Sequence, residues 1–291
     1  MTNYLKPTTH CAFKLSERKM QTLNNNQKIH YTLRIAAAMC FIGHGAFGII
    51  TKAIWCNYFA LFGIDKVHAY QLMPVLGSVD ILMGIILLFR PFRAVVVWLV
   101  VWSIITASCR PFSGEPFAEF IERAGNYGAP LALLVLAGGI QFNLKWFFSP
   151  VNPQVPVSER SLSRVKLILR FTVFLLLVGH GWLNLIQKPG LINQYTALGF
   201  SNPVNVSLLA GIFEIMASIA ILVKPLRQLI VIFLIWKMGT ELFYPHFEIF
   251  EWVERGGSYG TLLALWLSLD PTYKTQKGFT NKEHFPSASI G

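Results

Sequence analysis

Charge is scarce in this chain: 13% of its 291 residues are Asp, Glu, Lys or Arg, where a soluble domain carries about 25%. That shortfall argues against a water-exposed surface all round, and a 54% hydrophobic composition agrees with burial in a bilayer. Acids are the scarcer sign, 14 against 25 basic residues, for a net charge of +11. Such an excess serves nucleic acid only when the basic residues cluster on a soluble face. Here they lie between hydrophobic stretches, so no nucleic-acid partner is expected. The four cysteines, Cys11, Cys40, Cys56 and Cys109, show no CxxC spacing, which argues against a zinc or thioredoxin-type centre. No CxxCH is present, which excludes covalent c-type haem. Residues 1–30 lack an apolar core and a small-residue cleavage site, so they read as a basic tail rather than a signal peptide.

Long apolar stretches and aromatics are what the chain does have. A helix needs about 20 apolar residues to cross the hydrocarbon core. The sequence offers eight candidates, near 33–52, 71–89, 92–109, 126–143, 167–187, 205–223, 226–243 and 257–269, the last stopped by Asp270-Pro271. Most Lys and Arg fall in the N-terminal tail, the 90–93 turn, the 144–170 stretch, the 224–227 turn and the C-terminal tail. Glu115, Glu119, Glu122, Glu248, Glu251 and Glu254 fall on the other side. The positive-inside rule then places both termini in the cytoplasm and requires an even number of spans. The expectation is an all-α, polytopic protein of the inner (cytoplasmic) membrane, with the lipid bilayer as its first partner.

The chain also repeats itself. Leu33-Arg34, Gly43-His44-Gly45, Lys52 and Gly63 recur in register as Leu169-Arg170, Gly179-His180-Gly181, Lys188 and Gly199. Gly77, Asp80, Pro91, Arg93, Trp102, Thr106 and Pro111 recur as Gly211, Glu214, Pro225, Arg227, Trp236, Thr240 and Pro245. Glu122-Arg123, Gly125 and Tyr127-Gly128 answer to Glu254-Arg255, Gly257 and Tyr259-Gly260. Apolar helices resemble one another by composition, but matched histidines, acids and Trp-x-x-x-Thr in register do not arise that way. The expected organisation is a tail (1–30), a four-helix repeat (31–144), a linker (145–166), a second repeat (167–271) and a C-terminal tail (272–291). An even span count per unit makes the repeats parallel, related by an axis along the membrane normal.

Ionisable groups inside a bilayer are costly and face the bundle interior or a water-filled cavity. His44 and His180 lie in the first span of each unit, and Asp80 and Glu214 in the second. Small residues flank each acid, Gly77 and Gly84 around Asp80, Gly211 and Ser218 around Glu214, so a helix or ligand can approach closely. Each His–acid couple reads as a proton relay, metal ligands or an acid–base pair, or else as a bond locking two helices together. A further arrangement has His44 and His180 meeting across the axis as ligands to one haem or metal. Trp102 with Thr106, and Trp236 with Thr240, share a face of each third span. They either stack against a flat ligand such as a quinone, or simply pack with the threonine bonded back to its own helix. Lys237 and Glu241 stand where the first unit has Ser103 and Ala107, and Asn184 and Gln187 join His180 where it has Gly48 and Thr51. These additions favour the second unit as the working half. Lys52 and Lys188 end the first spans and read as snorkelling to headgroups. The Glu-Arg pairs read as interfacial salt bridges rimming an outward opening, and Cys56 and Cys109, on one side, as partners for a disulfide.

Each unit resembles a DoxX-type four-helix membrane protein. The likeness rests on the Arg opening the first span, the glycine within it and the Lys at its end. It continues through Leu198-Gly199-Phe200 with Pro203, Gly211-x-x-Glu214, and an apolar run to Lys224 and Arg227. The chain departs from that pattern in fusing two units, in placing Gly-His-Gly at the glycine position, and in carrying Asp80 rather than Glu. The resemblance implies a four-helix fold and a membrane role tied to redox chemistry, including subunits of quinone-reducing sulfur oxidoreductases. It points to quinone as cofactor, beside the haem that the two histidines could hold, and to other membrane redox subunits as partners. A redox-associated subunit, a proton-coupled transporter of a small solute and a non-catalytic assembly partner all remain open, and with them whether the chain is an enzyme.

Overall fold

A computed structural model describes residues 23–141, 143–243 and 249–270. Most of both expected tails, with Cys11, Pro245, Glu248 and Pro271, lies outside the described residues.

All eight candidate stretches are helical. The first half contains α1 (Asn25–Ile49), α2 (Trp55–Ala60), α3 (Lys66–Phe89), α4 (Arg93–Phe112), α5 (Ala118–Glu122) and α6 (Ala124–Leu136). After the short α7 (Leu144–Phe147) come α8 (Glu159–Leu185), α9 (Pro189–Ala197), α10 (Pro203–Val223), α11 (Arg227–Glu241), α12 (Ile249–Glu254) and α13 (Gly256–Ser268). Four of these, α1, α3, α4 and α10, are long and apolar enough to cross a membrane by length and composition. The fourth helix of the first half ends well before the expected 143, while that of the second half matches the short stretch expected at 257–269. α6 and α13 have 13 residues each, which is about 20 Å of helix against a hydrocarbon core of about 30 Å. In each case a short helix, α5 or α12, leads into it.

Caps explain the starts. Asn24 accepts from Gln27 N and Gln27 reaches back to Asn24 N, a capping box that opens α1 well before the span expected at 33. Asp65 caps α3, Ser158 caps α8, and Asn202 with Pro203 at the first turn opens α10. α8 therefore begins inside the stretch expected to be linker. The remainder of that stretch is tied down, with Trp146 and Val151 buried and Val151 N donating to Pro91 O at 2.7 Å.

The two halves interlock. α1 packs on α3 of its own half and also on α12 and α13 of the other; α8 packs on α10 and also on α5 and α6. Gly43 makes the first crossing and Gly179 the second. A Cβ on Gly43 would lie 2.3 Å from Glu254 N, and one on Gly179 2.3 Å from Glu122 N, so a side chain at either would push two backbones apart. Where the halves face each other, Gly125 lies against Gly257. Outside this centre, α3, α4, α10 and α11 present apolar side chains outward, Leu82, Ile105, Leu209, Met216 and Ile235 among them, as helices bathed in lipid do.

Local details recur at matched positions. Arg34 donates to Leu87 O (2.7 Å) and to Leu88 O, while Arg170 donates to Leu222 O and, at 3.1 Å, to Val223 O. Just past α1 and α8 the chain turns through left-handed residues, Thr51 (φ 56°) and Gln187 (φ 55°), a conformation that non-glycine residues seldom adopt.

Candidate functional site

Each histidine meets the acid of its own half. His44 Nδ1 lies 2.7 Å from Asp80 Oδ2, and His180 Nδ1 lies 2.6 Å from Glu214 Oε2. The close packing of α1 on α3 and of α8 on α10 makes this reach possible. A Cβ on Gly45 would lie 2.5 Å from Gly77 O, and one on Gly181 2.9 Å from Gly211 O, so both crossings are glycine on glycine. Asp80 and Glu214 are each 1% exposed, and in each carboxylate the second oxygen, Asp80 Oδ1 or Glu214 Oε1, is buried without a hydrogen-bond partner. A carboxylate gripping one imidazole nitrogen fixes the tautomer and leaves Nε2 for other chemistry.

The surroundings of the two couples differ. His44 opens onto a cavity of about 310 Å³ lined by Asp80, Trp55, Trp102, Thr106, Arg123 and Glu254 among others. Trp55 leans against the imidazole with ring centroids 4.6 Å apart, and Phe47, Tyr58, Phe59 and Phe62 extend the aromatic wall. His180 is shut in. Asn184 Nδ2 lies 3.2 Å from His180 Nδ1 and 3.3 Å from Glu214 Oε2, Tyr195 OH donates to Asn184 Oδ1 at 2.9 Å, and Ser207 Oγ donates to Asn184 O at 2.8 Å. Asn184 is 0% exposed. The first half has Gly48 at that position, and its Ser103 and Ala107 border the cavity where the second half carries Lys237 and Glu241. The substitutions read as marking the second half for work thus fill it, and the open site lies in the first.

The remaining expected site residues divide accordingly. Lys237 Nζ lies 3.0 Å from Glu241 Oε1, both nearly unexposed, with Arg255 Nε 3.8 Å from Glu241 Oε2. They neutralise one another rather than face a ligand. Thr106 donates to Trp102 O at 3.1 Å and Thr240 to Trp236 O at 2.8 Å, so both hydroxyls are bonded back to their own helices. Trp102 stacks on Trp98 and borders the cavity; Trp236 packs beside Leu183 and Tyr195. The bridge considered between Cys56 and Cys109 is absent: both are free thiols.

The Glu-Arg pairs expected to form interfacial salt bridges belong to a larger set of charges that joins the halves beside the cavity. Lys188 lies 2.6 Å from Glu119 Oε1 and Lys52 pairs with Glu251, each lysine reaching an acid of the opposite half instead of a headgroup. Arg123 binds Glu119 (2.8 Å) and Glu122 (3.0 Å), Arg110 binds Glu119 (3.3 Å), and Arg255 crosses over to Glu122. Burial alone would raise the Glu119 carboxyl, but Arg123, Lys188 and Arg110 outweigh it and hold it down at about 2. Glu122 is lowered well below the usual range for a like reason, burial being overcome by Arg255 and Arg123. Glu254 is likewise lowered, burial being overcome by Arg123 and His44. It is 5% exposed and borders the cavity, but makes no hydrogen bond or ion pair among the described residues.

Among the described residues, no three of His, Cys, Asp and Glu converge as metal ligands. A haem held between His44 and His180 does not fit either, because His180 presents no open face. The first-half cavity combines aromatic walls with the His44 imidazole, the Asp80 and Glu254 carboxylates and the Arg123 guanidinium. No curated protein and no solved structure matches the chain. Residues 165–245, most of α8 through α11, match the DoxX family model; this DoxX domain and the long apolar helices make the chain an integral membrane protein.

Proposed function

We propose that the chain is an eight-span inner-membrane protein with both termini cytoplasmic, built from two parallel DoxX-type units, and that its first unit binds a quinone ring as part of a membrane redox assembly. The family match covers residues 165–245 of the second half, and the matched residues, helix crossings and left-handed turns support the same plan in the first. On this reading the second unit has become the scaffold. Its His180–Glu214 couple, filled in by Asn184, Tyr195 and Ser207, ties α8 to α10. The observation that carries the proposal is the His44–Asp80 pair opening onto an aromatic cavity while its twin is sealed.

A quinone, when bound, accepts two electrons from a partner redox subunit and two protons to become the quinol. His44 would hydrogen-bond a ring oxygen from Nε2 and pass a proton there, while Asp80 holds the Nδ1 proton and stabilises the imidazolium between transfers. Glu254, set on the same cavity by the other half, is the group placed to return protons to His44. Arg123 keeps the cavity attractive to a developing oxyanion. Trp55 and Trp102 supply flat surface for the ring.

The test is quenching of tryptophan fluorescence by short-chain ubiquinone and menaquinone analogues in the detergent-purified full chain. The proposal expects saturable quenching that His44→Ala and Asp80→Asn weaken at least tenfold and His180→Ala leaves within twofold. Absence of saturable quenching by both analogues would sink it, and so would equal loss in the His180 variant.

A further inference from the structure

At the end of the bundle where α1 and α8 begin lies a second cavity of about 230 Å³, which shares no lining residue with the cavity at His44. It is bordered by Asn26, His30, Arg93, Gly138, Ser158 and Ser161, with no acid on its wall. Three polar atoms of these residues are buried without a hydrogen-bond partner: His30 Nε2, Arg93 Nε and Asn26 Oδ1. His30 is only 3% exposed. Several orphaned polar groups converging on one space are what a polar ligand would satisfy.

The other half indicates the ligand's charge. Arg227, the counterpart of Arg93, lies over the Trp266 ring at 4.5 Å and 3.8 Å from the carboxylate of Asp270. Arg93 likewise lies over an indole, that of Trp146, at 5.6 Å. It donates to Ala137 O at 3.1 Å and to Ser149 Oγ, but meets no carboxylate among the described residues. The fourth helices of the two halves align without a gap from Glu122-Arg123 and Glu254-Arg255, which sets Gly138 at the place of Asp270. Where the second half supplies its own carboxylate, the first has a glycine and a cavity. The 27-residue α8 adds to this, because its capped first turn, with Ser158 and Ser161, borders the same space and presents the positive end of a long helix.

We infer that this cavity is an oxyanion site taking one phosphate group, which stands in for the carboxylate that Asp270 provides in the other half. Arg93 Nε and His30 Nε2 donate to it. Ser161, whose hydroxyl accepts from Ser158 at 2.9 Å, keeps its own hydrogen to donate. The Asn26 amide, by a half-turn of its terminal torsion, presents NH₂ in place of its oxygen. A fork of guanidinium donors beside a helix start suits a phosphate better than a halide. The phosphate belongs either to a free anion or to an anionic lipid headgroup, since the site lies at the basic end of the bundle.

The test uses the full chain in a maltoside detergent, which carries no phosphate, with native mass spectrometry and thermal unfolding as readouts. One arm titrates inorganic phosphate against chloride at equal ionic strength; the other adds phosphatidylglycerol in mixed micelles. The inference expects one ligand per chain in at least one arm, with a raised Tm. A response to phosphate assigns a soluble ligand, and a response to the lipid alone assigns a headgroup. Arg93→Gln should weaken binding at least tenfold, while Arg227→Gln should leave it within twofold. Arg93 also ties Ala137 and Ser149, so His30→Ala provides a variant that spares those bonds and should weaken binding severalfold. No binding in either arm overturns the inference, as does binding indifferent to His30→Ala or equally reduced by Arg227→Gln.

Discussion

Asn184 binds four partners from a position with no exposure: the His180 imidazole, the Glu214 carboxylate, the Tyr195 hydroxyl and the Ser207 hydroxyl. Asn184→Ala leaves several of these unsatisfied in the interior, and each orphaned group costs about 1–3 kcal/mol. Thermal unfolding of the detergent-solubilised variant should show a Tm lower by several degrees, with first-half ligand binding intact in the folded fraction. Lys237 and Glu241 form a pair buried on all sides. Lys237→Met alone leaves Glu241 with only the longer Arg255 contact and should cost up to about 3–5 kcal/mol, whereas Lys237→Met with Glu241→Leu should recover part of that loss. If the double variant is no more stable than the single, the pair is not acting as a unit. The histidines and acids were legible at this scale because ionisable residues stand out in apolar spans. Which couple is open was not legible, because the presence of Asn184, Lys237 and Glu241 looks like chemistry until their mutual bonds are seen.

Among elements, the crossings of α1 with α12 and of α8 with α5 depend on Gly43 and Gly179. Either residue changed to Ala sets a methyl within 3 Å of a facing backbone, and backbone cannot step aside as a flexible side chain can. Gly43→Ala should lower Tm and, by moving Glu254 away from the cavity, weaken ligand binding as well. Gly179→Ala should lower Tm without the second effect. Binding assays on the two purified variants separate these outcomes. The long helices themselves were readable from apolar length, though not their starts, which the caps Asn24 and Asp65 set earlier than the apolar runs begin. α5 and α12 were not, since five or six residues with no span-length apolar run leave little trace in a sequence.

For the whole molecule, the charges linking the halves make the structure sensitive to acid. Glu119 is held at about 2 against an ordinary value of 4.5. Its folded form is the one with the lowered pKa, so its ion pairs stabilise fully above about pH 4.5 and are lost as pH falls toward 2. Glu122, lowered further, acts in the same direction. The Tm should therefore fall between pH 5 and pH 3, and Glu119→Gln should flatten that slope while lowering Tm at pH 7. Interlocking also predicts that residues 23–141 expressed alone do not form a stable monomer, because α1 is left without α12 and α13. Co-expression with 143–291 should restore a one-to-one complex by size-exclusion chromatography. Two halves that each fold and stay apart would contradict the interlock.

The sequence by itself determined that this is a helical membrane protein, where its long apolar helices lie, and which histidine and acid of each half belong together. Apolar length and a residue pattern repeated in register are local quantities, and local quantities survive in one dimension. Only the tertiary structure decided that Lys52 and Lys188 reach acids of the opposite half, that α1 and α8 are shared between halves, and that the cavity belongs to His44. Those outcomes depend on distances between residues far apart along the chain and on how side chains divide a buried volume.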